Sequence, residues 1–80
     1  AEIKNVIFKS STEYDVFCFV KSGERTFNFR LYVDLSLGEI TKEYIDSLEK
    51  GDIVNFEGTF LSQTQRGHLS SFKEIKFLES

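Results

Sequence analysis

Two hydrophobic periods alternate along this chain, and the switch between them orders its elements. Ile3 to Lys9 is mostly β-branched or aromatic and predicts a first strand, closed by the turn cluster Ser10-Ser11-Thr12-Glu13. Tyr14 to Lys21 carries Val16, Phe17, Cys18, Phe19 and Val20 and predicts a second strand, followed by a hairpin loop at Ser22-Gly23-Glu24-Arg25. Thr26 to Asp34 then alternates cleanly. Phe27, Phe29, Leu31 and Val33 share one face, and Thr26, Asn28, Arg30, Tyr32 and Asp34 the other, which is the period of a half-buried strand.

The period lengthens where Ile40, Tyr44, Ile45 and Leu48 fall on one helical stripe. Thr41 is an N-cap, Ile40 and Ile45 staple across it, and Gly51 stands where a C′ glycine ends a helix. Ser36-Leu37-Gly38-Glu39 offers an alternative, earlier start. Asp52 to Leu61 predicts a fourth strand with Val54, Phe56 and Phe60 inward and Asn55 and Glu57 outward. Ser62 to Gly67 is a polar loop. His68 to Leu78 predicts a fifth strand that bends near Ser70-Ser71, because Leu69, Phe72, Ile75 and Phe77 do not keep one alternation.

Three strands, a short helix and two strands is the order of a five-stranded Greek-key barrel of the OB type, so the fold class expected is all-β, with residues 1–80 as one domain. A split barrel of another type shares the order. A ferredoxin-like sandwich needs a second helix, and no segment supplies one.

Composition adds three constraints. Nine Phe and three Tyr in 80 residues are more large rings than one small core holds, so some are expected outside it. A net charge of −3 argues against strongly salt-driven binding of nucleic acid but leaves room for base stacking with a local basic patch. One cysteine, Cys18, excludes an internal disulfide and sets the expectation of an intracellular, cytoplasmic home. No apolar run approaches the ~20 residues of a membrane span. The chain opens on Ala1 without Met, as expected of a piece cut from a longer one.

The motifs Gly51-Asp52-Ile53-Val54, Glu57-Gly58, Gly67 with Leu69-Ser70, Glu74-Ile75 and Phe77-Leu78, with Leu31-Tyr32-Val33 on the third strand, carry a family resemblance. The chain resembles the N-terminal anticodon-binding OB domain of class II aminoacyl-tRNA synthetases, above all the lysyl type. The spacings agree without insertions, and the similarity is most specific in the second half. Glycine-Asp-Ile/Val before a strand also occurs in OB domains of replicative polymerases and repair helicases. The resemblance implies a single-stranded nucleic-acid ligand, and places Phe19 at a base-stacking position and Arg30 where the family carries a base-reading glutamine. The chain departs from the family in Ser10-Ser11-Thr12, Tyr14-Asp15 and Lys21-Ser22-Gly23, where the family carries basic residues.

The alternation leads to the same face independently. If Val16, Cys18 and Val20 join the core, Phe17, Phe19 and Lys21 lie outside beside Arg30 and Tyr32, on the strands with which OB-folds bind oligonucleotides. In the opposite orientation Phe17 and Phe19 fill the core, and this alternative stays open from sequence because the strand is apolar on both sides. Candidate nucleic-acid contacts are therefore Phe17, Phe19, Lys21, Arg30 and Tyr32, with Arg66 on the loop before the last strand; Tyr14 either extends the platform or caps the barrel. His68 stands alone, without a metal-ligand spacing, and Cys18 reads as a small core residue. No nucleophile–base set, carboxylate pair or phosphate-cradling loop emerges, so neither catalysis nor a small-molecule cofactor is expected. The expected partner is single-stranded RNA or DNA; the alternative is another protein domain docking on the same aromatic strip.

Overall fold

The computed structural model describes residues 1–66 and 68–78; Gly67, part of the motif before the last strand, lies outside the described residues. Its elements are β1 (Glu2–Phe8), β2 (Glu13–Ser22), β3 (Arg25–Asp34), a 3-10 turn (Leu35–Leu37), α1 (Lys42–Ser47), β4 (Asn55–Gln63) and β5 (Leu69–Leu78). The strands form one five-stranded sheet in the order β1-β2-β3-β5-β4. β1, β2 and β3 pair antiparallel in succession, β4 pairs antiparallel with β5, and β5 lies parallel to β3 from Asn28 to Leu31. The segment leading into β4 returns to the start of β1. Ile3 N donates to Asp52 O (2.7 Å), Gly51 N to Ile3 O (2.9 Å) and Val54 N to Ala1 O (2.8 Å). The contact is a single isolated bridge, Glu2 with Ile53, and lies before β4 begins.

The β2 alternation resolves in favour of one orientation. Tyr14, Val16 and Cys18 are buried with Ile3, Leu31 and Val33, and Ile40, Ile45, Val54 and Ile75 complete this core. Its apolar depth pushes the Cys18 thiol up to about 11, because burial penalises the thiolate. Tyr14 belongs to the core and meets Phe8 edge to face at 5.6 Å, so it does not extend the outer platform. Phe29, Phe56 and Phe72 form a second, half-buried aromatic cluster with ring centroids 5.7–5.9 Å apart.

Four details differ from the periodic reading, each for a local reason. Phe27 and Phe60 stand 44% and 57% exposed although both follow the inward alternation. β5 pairs with β3 only from Asn28 onward, so Phe27 has a paired strand on one side alone, and β4 is an outer strand, so Phe60 has only β5, where it meets the Phe72 ring at 5.8 Å. The helix is short: Thr41 Oγ1 accepts from Tyr44 N (3.2 Å) as the N-cap, but Leu48, in extended conformation, already ends it. Gly51 is therefore not its C′ residue. With φ 97 it turns the chain within a separate Glu49–Asp52 turn, closed by Asp52 N to Glu49 O at 3.0 Å.

Part of the irregular spacing of Phe72, Ile75 and Phe77 comes from a bulge at Glu74, whose φ of 54 is a left-handed conformation. Opposite this bulge sits Gly58. A Cβ there would lie 2.6 Å from Ile75 Cδ1 and 2.9 Å from Lys73 O, so only glycine lets the two strands approach this closely. A second shift, with Leu61 as the extra residue, faces Ser71 and Phe72.

Candidate nucleic-acid interface

One face of the β2–β3 hairpin gathers most of the residues singled out from sequence. Antiparallel register sets Asp15 opposite Tyr32, Phe17 opposite Arg30, Phe19 opposite Asn28 and Lys21 opposite Thr26. Because paired residues share a face, Phe17 and Phe19 lie outside the core with Arg30 and Tyr32, and all four are half-buried.

The centre of this face is a stack. The Arg30 guanidinium carbon lies 4.6 Å from the Tyr32 ring centroid and 5.7 Å from that of Phe17. Lys9 Nζ extends the series beyond Tyr32 at 5.4 Å from its centroid. Arg30 therefore sits between two rings, where its flat, weakly hydrated head gains cation–π contact on both sides.

Asp15 fixes that arrangement. It is an outward-facing residue, yet it is only 4% exposed, because Arg30 folds over it. Arg30 Nη2 donates to Asp15 Oδ2 at 2.7 Å and Nε to the same oxygen at 3.2 Å. Lys9 Nζ approaches this oxygen at 3.9 Å. Three nitrogens of two cations converge on Oδ2, while Oδ1 is buried with no hydrogen-bond partner among the described residues. The Arg30 charge is thereby offset within the protein, which reshapes its role: it ties the Phe17 and Tyr32 rings together more than it offers a free positive charge.

Asp15 is the member of the face that sequence reasoning did not single out. The signal was present, since an acidic residue interrupted an otherwise apolar strand two positions before Phe17. Only the cross-strand register, which sets it diagonally from Arg30, gives that interruption a meaning.

The remaining candidates are dispersed. Phe19 lies one alternation further along, beside a shallow groove of about 230 Å³ shared with Ala1, Glu2, Val20, Lys21 and Ile53. Lys21 is exposed near the hairpin tip. Arg66 is exposed on the β4–β5 loop, which enters β5 at Leu69 beside Asn28, and so flanks the end of the face opposite Tyr32. At the Tyr32 end a cleft of about 330 Å³ is bounded by Lys9, Asp15, Tyr32, Val33, Leu37 and Lys73, among others. Among the described residues no cluster of three or more His, Cys, Asp or Glu has metal-binding geometry, and no helix is long and apolar enough to cross a membrane.

Comparison with protein-family models, with curated proteins and with solved structures returned no match for this chain.

Proposed function

We propose that this chain is an OB-type barrel that binds single-stranded nucleic acid, RNA or DNA, by stacking unpaired bases on the outer face of β2 and β3. The barrel reading is supported by the parallel β3–β5 pairing and by the hydrogen bonds that join Ala1–Ile3 to Gly51–Val54. The observation that carries the functional reading is the Phe17–Arg30–Tyr32 stack, held flat by the buried Asp15. Aromatic rings and guanidinium planes offer sequence-tolerant surfaces to the faces of bases. Phe19 continues the platform, and Lys21 and Arg66 supply a thin basic margin for the backbone. With Arg30 neutralised by Asp15 and a net charge of −3, affinity rests on stacking and its salt dependence is shallow.

The test is a chemical-shift titration with short RNA and DNA oligonucleotides at low and moderate salt. Saturable shifts centred on Phe17, Arg30 and Tyr32 are expected, with each of Phe17→Ala and Tyr32→Ala weakening binding by about 1–3 kcal/mol. No saturable shift with any oligonucleotide at low salt refutes the reading.

A protein-binding reading is favoured by a different observation. Phe60 and Leu61 are large apolar side chains that stand exposed on β4, which β5 separates from the β2–β3 hairpin. A partner domain covering them would leave the hairpin face unshifted, which separates the two readings in the same experiment.

A further inference from the structure

The stacking reading leaves one atom of the face unexplained. An ionised carboxylate can only accept hydrogen bonds, and Arg30 Nε and Nη2 both donate to Asp15 Oδ2, which Lys9 Nζ approaches only as an ion pair at 3.9 Å. Oδ1 is buried and without a hydrogen-bond partner among the described residues, in a residue that lines the cleft at the Tyr32 end, whose walls also carry Glu13, Asp34 and Glu74 beside Lys9 and Lys73. Buried acceptors without a donor are rare, because the lost hydration is not replaced. A donor group on a ligand that reached Oδ1 would replace that lost hydration.

The surroundings narrow the donor. Tyr32 borders the same cleft and offers an aromatic face. Lys9, whose side chain is 40% exposed, brings an ammonium within 3.9 Å of Oδ2 and 5.4 Å of the Tyr32 ring. A fitting ligand stacks as a flat ring, directs N–H groups at Oδ1 and turns an acceptor toward Lys9. Among the bases, guanine carries an imino N–H and an adjacent amino group on its Watson–Crick edge, with the O6 acceptor at the end of that edge. Adenine and cytosine set ring nitrogens that accept next to a single amino group. Uracil flanks its one N–H with two carbonyls, whose lone pairs face the carboxylate.

We propose that the Asp15–Tyr32–Lys9 cleft is a guanine subsite, in which Asp15 Oδ1 accepts from the base's Watson–Crick edge while Tyr32 stacks on its ring. This rests on the nucleic-acid reading above and adds sequence preference to it. Oδ1 is shielded in the free protein, so the base reaches it only when a neighbouring side chain moves aside, and Lys9, which lines the same cleft, is then placed to meet O6.

The experiment uses the whole 80-residue chain and eight-nucleotide U-rich RNAs bearing one central G, A or inosine, read by fluorescence anisotropy and chemical shifts at low salt. The G-bearing RNA is expected to bind about tenfold more tightly than the A-bearing one, the gain of one well-placed base contact. Inosine lacks the amino group and is expected to lose at least about threefold of that. Asp15→Asn is expected to abolish the ratio between G-bearing and A-bearing RNA beyond any common loss of affinity, which the plain U-rich RNA reads, and a ratio kept in this variant overturns the assignment to Asp15. If this variant does not fold, the inosine comparison in the parent chain still decides. Equal binding of the three RNAs within about twofold, with shifts retained at Phe17 and Tyr32, overturns the guanine subsite and leaves the stacking reading standing. Absence of binding to every RNA and to the DNA oligonucleotides of the same sequences overturns both.

Discussion

Removing Arg30 tests whether Asp15 is the keystone of the hairpin face. In Arg30→Met the Asp15 side chain, 5% exposed, keeps only Lys9 at 3.9 Å as a nearby cation. Stranding one member of a buried ion pair costs about 3–5 kcal/mol. Arg30 is itself 31% exposed, so water entering its place recovers part of that, and a loss of about 2–3 kcal/mol is expected. The reverse change is milder. Asp15→Leu removes the charge that is hard to bury and leaves Arg30 able to reach solvent, for a cost of about 0–1 kcal/mol. The double variant should recover most of the stability lost in Arg30→Met, giving a coupling of roughly 2–3 kcal/mol. Urea denaturation with an unchanged m-value is the assay, supported by thermal melts in which each kcal/mol moves Tm by about 4–8 °C for a domain of this size. If Arg30→Met costs less than about 0.5 kcal/mol, as an ordinary surface substitution would, the burial of Asp15 under Arg30 carries no energetic weight and the argument for a preset stack fails.

Three further outcomes follow from the same structure. Gly58→Ala should destabilise by about 1–3 kcal/mol, since the added carbon meets Ile75 Cδ1 at 2.6 Å and the Lys73 carbonyl at 2.9 Å; a melt matching the parent's would contradict the close strand crossing. Thr41→Ala removes the N-cap of a six-residue helix and should cost about 1 kcal/mol in denaturant titration, with Thr41→Ser retaining most of it. The Cys18 thiol, pushed up by burial to about 11 from 9.0, stays protonated in the folded chain at pH values where the unfolded chain has ionised. The unfolded state then binds fewer protons, so this contribution to stability is full below pH 9.0 and is lost as pH rises toward 11. Cys18→Ala should flatten that alkaline decline, and a parent chain whose thiol is alkylated at pH 8 as fast as free cysteine would contradict the burial.

Much of the strand framework was legible because its causes are local. Alternation in Thr26 to Asp34 and the cap at Thr41 depend on residues a few positions apart, and both appear where the sequence puts them. Gly51 misled because glycine signals a left-handed residue without saying which turn uses it. Phe27 and Phe60 misled because alternation reports which side a residue faces, while burial requires another strand to lie above it.

By itself, then, the chain determined the order of its elements and the pair of faces that each strand presents, since steric preference and side-chain period act along the backbone. Tertiary structure decided which face of β2 enters the core, where β4 and β5 slip past each other at Gly58 and Glu74, and what Arg30 does. Sequence presents Arg30 as a loose positive charge on a strand. Register brings Asp15 from 15 positions away to within 2.7 Å of it, and the charge becomes a tie between two rings. That conversion depends on cross-strand distance, and no pattern within a single strand encodes it.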